Sequence, residues 1–220
     1  MAKHIELYSL KNKVDAEFFV DLAETCTKRS EWTLSSGIHS NEFIDIDEFM
    51  YCPKKSAELA KRISIKLKAI LMDGNEFDKI AFIEKPDGTV GLITLLGSIS
   101  SEIDKPCIII RPKKRLQMDT IKGKVSSGER FLIISDIATS GSTIFNAAEI
   151  LRSRGGKTPF ALVVLDRLQG GTENLIRKGI KLFSLCSISA LNNTKKIKIP
   201  YNITTPVLKD FGGKSMTALR

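Results

Sequence analysis

Apolar residues recur along the chain in two rhythms. Across residues 14–28 they fall at Val14, Phe18, Phe19, Leu22 and Cys26, with Asp15, Glu17, Asp21 and Glu24 on the opposite side. That is the period of an amphipathic helix. A second helix is predicted from Pro53 to about Met72 on Leu59, Ile63, Leu67, Ile70 and Leu71, stopped by Asp73-Gly74-Asn75. Between the two, FIDID at residues 43–47 alternates as a strand does. From residue 79 the rhythm changes. Short, continuous apolar runs at 79–84, 106–110, 131–134, 160–165 and 180–185 read as buried strands. Helical segments at 90–102, about 142–154 and 172–178 separate most of them. Strands without alternation, interleaved with helices, imply a mainly parallel sheet covered on both faces. Ligands of such sheets bind at the carboxyl ends of the strands, where Glu84, Arg111, Asp136 and Asp166 fall. The reading is α/β and one domain: an N-terminal helical hood over residues 1–75, a core over 76–190, and an extension with little periodicity over 191–220.

One stretch carries more than packing. After the apolar run 131–134 come Ser135 and Asp136, where the strand is expected to end. A turn of small residues follows, then Ile144, Ala147, Ala148 and Leu151 on one helix face, with Ser142 or Thr143 expected as the cap. A helix N-terminus presents unpaired N–H groups and a favourable dipole to an anion. Gly141 permits close backbone approach, and Thr139, Ser140, Ser142 and Thr143 add hydroxyls. This suits a phosphate monoester, with Asp136 placed for sugar hydroxyls. It is not a Walker loop, because Ser142 follows Gly141 where a Lys is needed. Nor is it a dinucleotide fingerprint, which needs three glycines. From spacing alone, an ordinary strand–helix turn with capping hydroxyls explains it equally well.

Composition narrows the class. The 220 residues are 42% hydrophobic and 27% charged, which befits a globular protein of ordinary domain size. No apolar run approaches a membrane span, and the N-terminus has no apolar h-region, so a cytoplasmic protein is expected. Cys26, Cys52, Cys107 and Cys186 are scattered with no C-x-x-C pair, which argues against a metal cluster, and Cys107 and Cys186 read as core. The net charge of +9 raises nucleic acid as a partner, but aromatics are only 7% and do not interleave with the cations, so a solvated basic surface is favoured. One cluster stands apart. Arg111, Lys113, Lys114 and Arg115 crowd four cations into five positions of a polar connection between strands. They repel one another unless an anion is present. A basic loop beside a phosphate turn can close on a diphosphate and stabilise its developing charge.

The stretch S-D-I-A-T-S-G-S-T, residues 135–143, resembles the phosphoribosyl-diphosphate (PRPP) signature of type I phosphoribosyltransferases. Further stretches are similar to those of the orotate phosphoribosyltransferases among them. These are WTLSSGIHS at 32–40, Phe43-Ile44-Asp45, the basic run 111–123, and DRLQGGTENL at 166–175. The resemblance implies a Mg²⁺-dependent enzyme that joins a nitrogen base, orotate favoured, to ribose 5-phosphate and releases diphosphate. It implies PRPP binding by Arg111, Arg115, Asp136, Ala138, Thr139, Ser140, Gly141, Ser142 and Thr143. Base binding falls to Phe43, Thr139 and Arg167, and catalytic roles to Arg115 and Asp136. The metal ligands are left open, with Asp136 a candidate. A homodimer is implied, with neither membrane nor nucleic acid as partner. Arg167 suits a base carboxylate because its fork matches one bidentately. The chain departs from the family at Ser35, Ile38, Pro112, Gln117, Met118 and Ser135, where the pattern has Lys, Arg, Lys, His, Gly and an acid. The phosphoribosyl half of the pattern is better kept than the base half. A non-catalytic protein that senses PRPP or a nucleotide on the same fold is the alternative.

Overall fold

The computed structural model describes residues 13–33, 39–85, 91–111 and 120–189. The element order is α1 (Lys13–Cys26), β1 (Thr27–Thr33), β2 (His39–Ile44), α2 (Asp47–Met50), α3 (Pro53–Met72) and β3 (Lys79–Ile83). A 3-10 turn (Gly91–Leu95), α4 (Leu96–Ile103), β4 (Cys107–Ile110), β5 (Ile121–Lys122) and β6 (Arg130–Ala138) follow. The chain continues with α5 (Ser142–Arg152), β7 (Lys157–Asp166), α6 (Gly171–Arg177) and β8 (Lys181–Ser187). The extension expected from residue 191 lies outside the described residues.

Six strands form one sheet in the order β5-β4-β3-β6-β7-β8, all parallel except the two-residue edge strand β5, which runs antiparallel to β4. The mainly parallel sheet inferred from the unbroken apolar runs is therefore present. The central positions of β3, β6 and β7 are apolar on both faces because successive side chains enter opposite layers. Ile80, Phe82, Leu132, Ile134, Leu162 and Val164 pack with α1, α2, α3 and α4. Ala81, Ile83, Phe131, Ile133, Ala161 and Val163 pack with Ile144, Ala147, Ala148 and Leu151 of α5 and Leu175 of α6.

Three expectations need correction. The hood is not purely helical. Residues 27–33 and 39–44 form an antiparallel hairpin, and the strand expected at 43–47 ends at Ile44, because Asp47 opens the one-turn helix α2. Polar TKRSEWT has no apolar alternation to announce a strand; it is held by backbone pairing with β2. The helix expected over 90–102 starts as a 3-10 turn at Gly91, whose φ of 50° is a left-handed value unsuited to an α-helix interior, and becomes α-helical only at Leu96. Residues 86–90 lie outside the described residues.

Four thiols are free, and Cys26 and Cys186 are fully enclosed. Burial pushes the Cys26 thiol up to about 12 and raises that of Cys186 as well. Cys107, expected in the core, is only partly covered at the start of β4. At pH 8, Cys26 and Cys186 are expected to resist a thiol reagent in the native protein and to react fully in denaturant, as read by mass spectrometry of labelled peptides. Fast native labelling at either position would contradict this packing.

Candidate active site

Strands β3 and β6 are neighbours, yet the chain leaves them in opposite directions. β3 leads to β4 on one side and β6 to β7 on the other. This is the point in a doubly wound sheet where a crevice opens at the carboxyl ends. Pairing of β3 with β6 reaches only Phe82↔Ile134, whereas pairing of β6 with β7 continues to Ala138↔Asp166. Hence β6 does not end at Ser135–Asp136 as expected. It runs on to Ala138, supported by β7 alone, and polar residues 135 and 136 are tolerated because one flank of the strand faces the crevice.

The turn from β6 into α5 has the expected shape with a different cap. Gly141, at φ 79°, occupies the N-cap position, and no side chain caps the helix. Ser142 is the first helical residue, so neither it nor Thr143 serves as the cap, and among the described residues no side chain occupies the leading N–H groups of α5. The hydroxyls of Ser140 and Ser142 lie 3.1 Å apart. A two-residue glycine contact supports the turn from below. A Cβ on Gly171 would come within 2.6 Å of the Thr139 carbonyl oxygen, and one on Gly141 within 2.9 Å of Leu175 Cγ. Buried Asn174 donates from Nδ2 to the Ser140 carbonyl at 3.1 Å, and the Arg167 N–H donates to the Ala138 carbonyl at 3.0 Å. Thus the segment that carries Arg167 and the turn at residues 139–141 are pressed together, backbone on backbone.

Asp166, the last residue of β7, organises that second segment. Its carboxylate accepts from the Leu168 N–H at 2.8 Å and the Thr172 hydroxyl at 3.0 Å. These bonds hold Leu168 at φ 53° and lead to Gly170 at φ 87°. Burial raises the Asp166 carboxyl above its ordinary range, with the two donors opposing it. Half-buried Arg167 follows directly.

Asp136, two residues short of the end of β6, is held in an ion pair. Its Oδ1 accepts from the Ile137 N–H at 2.8 Å and the Ser135 hydroxyl at 3.3 Å, and its Oδ2 lies 3.1 Å from Lys85 Nζ. Lys85 also meets Asp47 Oδ2 at 3.0 Å and Asp45 Oδ1 at 3.8 Å. Burial alone would lower the Lys85 ammonium, but Asp136 and Asp47 outweigh it and hold the group above its ordinary value. Arg111, expected to reach a diphosphate, donates from Nε to Glu84 at 2.6 Å. Its Nη1 is buried with no hydrogen-bond partner among the described residues. Phe43, in β2, precedes Asp45 by two residues and is half-buried. Arg115, Ser35, Ile38, Pro112, Gln117 and Met118 lie outside the described residues. Sequence reasoning missed Lys85, Asp45, Asp47 and Asn174; the alternating acids of FIDIDE were the one available signal.

A six-stranded, mainly parallel sheet with this crevice, hood and hydroxyl-rich turn is the type I phosphoribosyltransferase fold. The orotate phosphoribosyltransferase structure of Aeropyrum pernix superposes with a TM-score of 0.67 at 22% identity, covering 80% of this chain and 97% of that one. An adenine phosphoribosyltransferase of Thermoanaerobacter pseudethanolicus gives 0.56 at 20% identity, covering 77% and 99%. No protein-family model matches the chain. Among curated proteins, the orotate phosphoribosyltransferase of Pyrococcus abyssi is 35% identical over 168 residues, 76% of this chain and 88% of that protein. That of Picrophilus torridus is 35% identical over 167 residues, 74% and 92%. The chain belongs to the orotate phosphoribosyltransferase family and is an enzyme of the pentosyltransferase class. Among the described residues, no helix is long and apolar enough to cross a membrane.

Proposed function

We propose that this chain transfers ribose 5-phosphate from PRPP to orotate in pyrimidine nucleotide biosynthesis, releasing diphosphate, as a cytoplasmic homodimer. The observation that carries the reading is the juxtaposition at one crevice of Asp136, the open N-terminus of α5 and Arg167. The open N–H groups of α5 with Thr139, Ser140, Gly141, Ser142 and Thr143 hold the 5′-phosphate, and Ala138 sets the entry of the turn. Asp136 accepts from the ribose hydroxyls. Arg111 and Arg115 neutralise the diphosphate as the C1–O bond breaks and the C1–N bond forms. Arg167 receives the carboxylate of the base, and Phe43 with Thr139 packs on its ring. Positive charge developing on the sugar and negative charge on the leaving group are stabilised by fixed groups rather than by a covalent nucleophile.

Mg²⁺ with phosphate substrates usually takes one or two protein carboxylates and otherwise substrate oxygens. Asp136 is the candidate carboxylate and is already paired with Lys85, so substrate oxygens would supply most of the ligands; among the described residues no group of three or more acids, histidines or cysteines would cage an ion unaided. When bound, the ion screens the diphosphate and makes it a better leaving group.

Diphosphate release, measured with PRPP, Mg²⁺ and a panel of pyrimidines and purines, is expected with orotate and not with uracil or adenine. PRPP binding without release for any base would mark a sensing protein instead. Asp136→Asn is expected to keep the fold and weaken PRPP binding by about 1–3 kcal/mol, the scale of one charged hydrogen bond. Equal calorimetric affinities for wild type and variant would remove Asp136 from the ribose site.

A further inference from the structure

We propose that Lys85 is a positioning residue for the phosphoribosyl half of the site. Its ammonium sets the Asp136 carboxylate and ties the hood segment 45–47 to the strand that carries it. The inference rests on Asp136 being the ribose-binding acid.

The geometry is specific. Lys85 follows β3 and Asp136 lies on β6, the two strands that flank the crevice. The lysine stem runs along the face of Gly91, where an added Cβ would sit 3.5 Å from Lys85 Cε, so its path is confined. The ammonium then bridges Asp136 and Asp47 at 3.1 and 3.0 Å, with Asp45 at 3.8 Å. Lys28 is the second cation of the group, 3.1 Å from Asp45 and 2.7 Å from Glu48, and does not reach Asp136. Two ammonium groups thus face four carboxylates. With a Ser at position 135 in place of an acid, Asp136 is the sole acid of the signature, and among the described residues Lys85 is its sole cationic partner. Asp136 Oδ1 is already fixed by two donors from its own strand, so Lys85 is what orients Oδ2. Buried Asp47 keeps one oxygen without a partner among the described residues and holds Lys85 with the other, so it anchors the lysine rather than competing for a ligand. A carboxylate oriented in advance gains hydrogen bonds to ribose without an ordering cost.

The test is a double-mutant cycle on the full chain, Lys85→Met against Asp136→Asn, read as KM for PRPP and kcat. Lys85→Met is expected to raise KM for PRPP tenfold or more, with kcat changed less than threefold. In the Asp136→Asn background the same substitution is expected to shift KM less than twofold. Lys85→Arg is expected to restore most of the loss. Because Lys85→Met strands the buried Asp47 charge, the same cycle in an Asp47→Asn background serves if the single variant does not fold. An equal KM shift with and without Asp136, or a lowered Tm with KM unchanged, would overturn the inference. An unchanged KM in Asp136→Asn overturns the ribose assignment and this inference together. A raised KM there beside an unchanged one in Lys85→Met overturns the inference alone.

Discussion

Gly171→Ala is expected to lower kcat/KM for PRPP by about a hundredfold while the protein still folds. The new methyl would lie 2.6 Å from the Thr139 carbonyl oxygen and 3.3 Å from the Gly141 nitrogen, both backbone atoms. Backbone cannot rotate away as a side-chain end can, so the turn at residues 139–141 must move by several tenths of an ångström. Misplacement of a reacting group by about 1 Å is worth about two orders of magnitude in rate. The fold is expected to survive because Gly171, buried at the start of α6, contributes no side chain to either packed layer. Gly97→Ala is the matched control. Gly97 is an exposed helical position of α4 with nothing within 4 Å of an added Cβ, so the change is expected to stabilise by about 0.5–1 kcal/mol and leave kinetics alone. Steady-state kinetics and thermal melts of both variants decide the matter, and wild-type kinetics in Gly171→Ala would refute the tight contact.

Arg167→Ala is expected to remove orotate use almost entirely while sparing PRPP binding. Truncating one partner of a desolvated, hydrogen-bonded charge pair costs about 2–5 kcal/mol, which is roughly thirty-fold to several-thousand-fold in kcat/KM. The backbone of Arg167 is fixed by its bond to the Ala138 carbonyl and by the Asp166 turn. The substitution therefore takes away the guanidinium without releasing the segment. Arg167→Lys is expected to recover only part of the loss, because an ammonium does not reproduce the planar fork. Orotate turnover that is unchanged in Arg167→Ala, measured at saturating PRPP, would withdraw the residue from the base site.

The core was readable because burial on both sheet faces leaves continuous apolar runs. The runs 79–84, 131–134 and 160–165 all fall in strands of the parallel sheet, the first of them ending one residue early at Ile83. The turn at 139–142 was readable because its small residues and hydroxyls have few other uses between a strand and a helix. The hairpin of the hood was not. TKRSEWT carries no alternation, and its partner strand was misplaced toward Asp47. The Lys85 group was also hidden, since Asp45, Asp47, Lys85 and Asp136 are adjacent only after β3 and β6 pair and the hood folds over them. The end of β6 escaped for a related reason. Which flank of a strand loses its neighbour is a property of register, and register is not written in one strand's own residues.

The backbone contact between residues 139–141 and 170–171 also bears on when order is acquired. Two segments that touch without intervening side chains have little room to rearrange separately, so the turn proposed to hold the 5′-phosphate takes its shape as the sheet forms. Its loss of conformational freedom belongs to the folding reaction and is absent from the binding isotherm. Inorganic phosphate, with no sugar or base to organise the site, should therefore find a finished receptor.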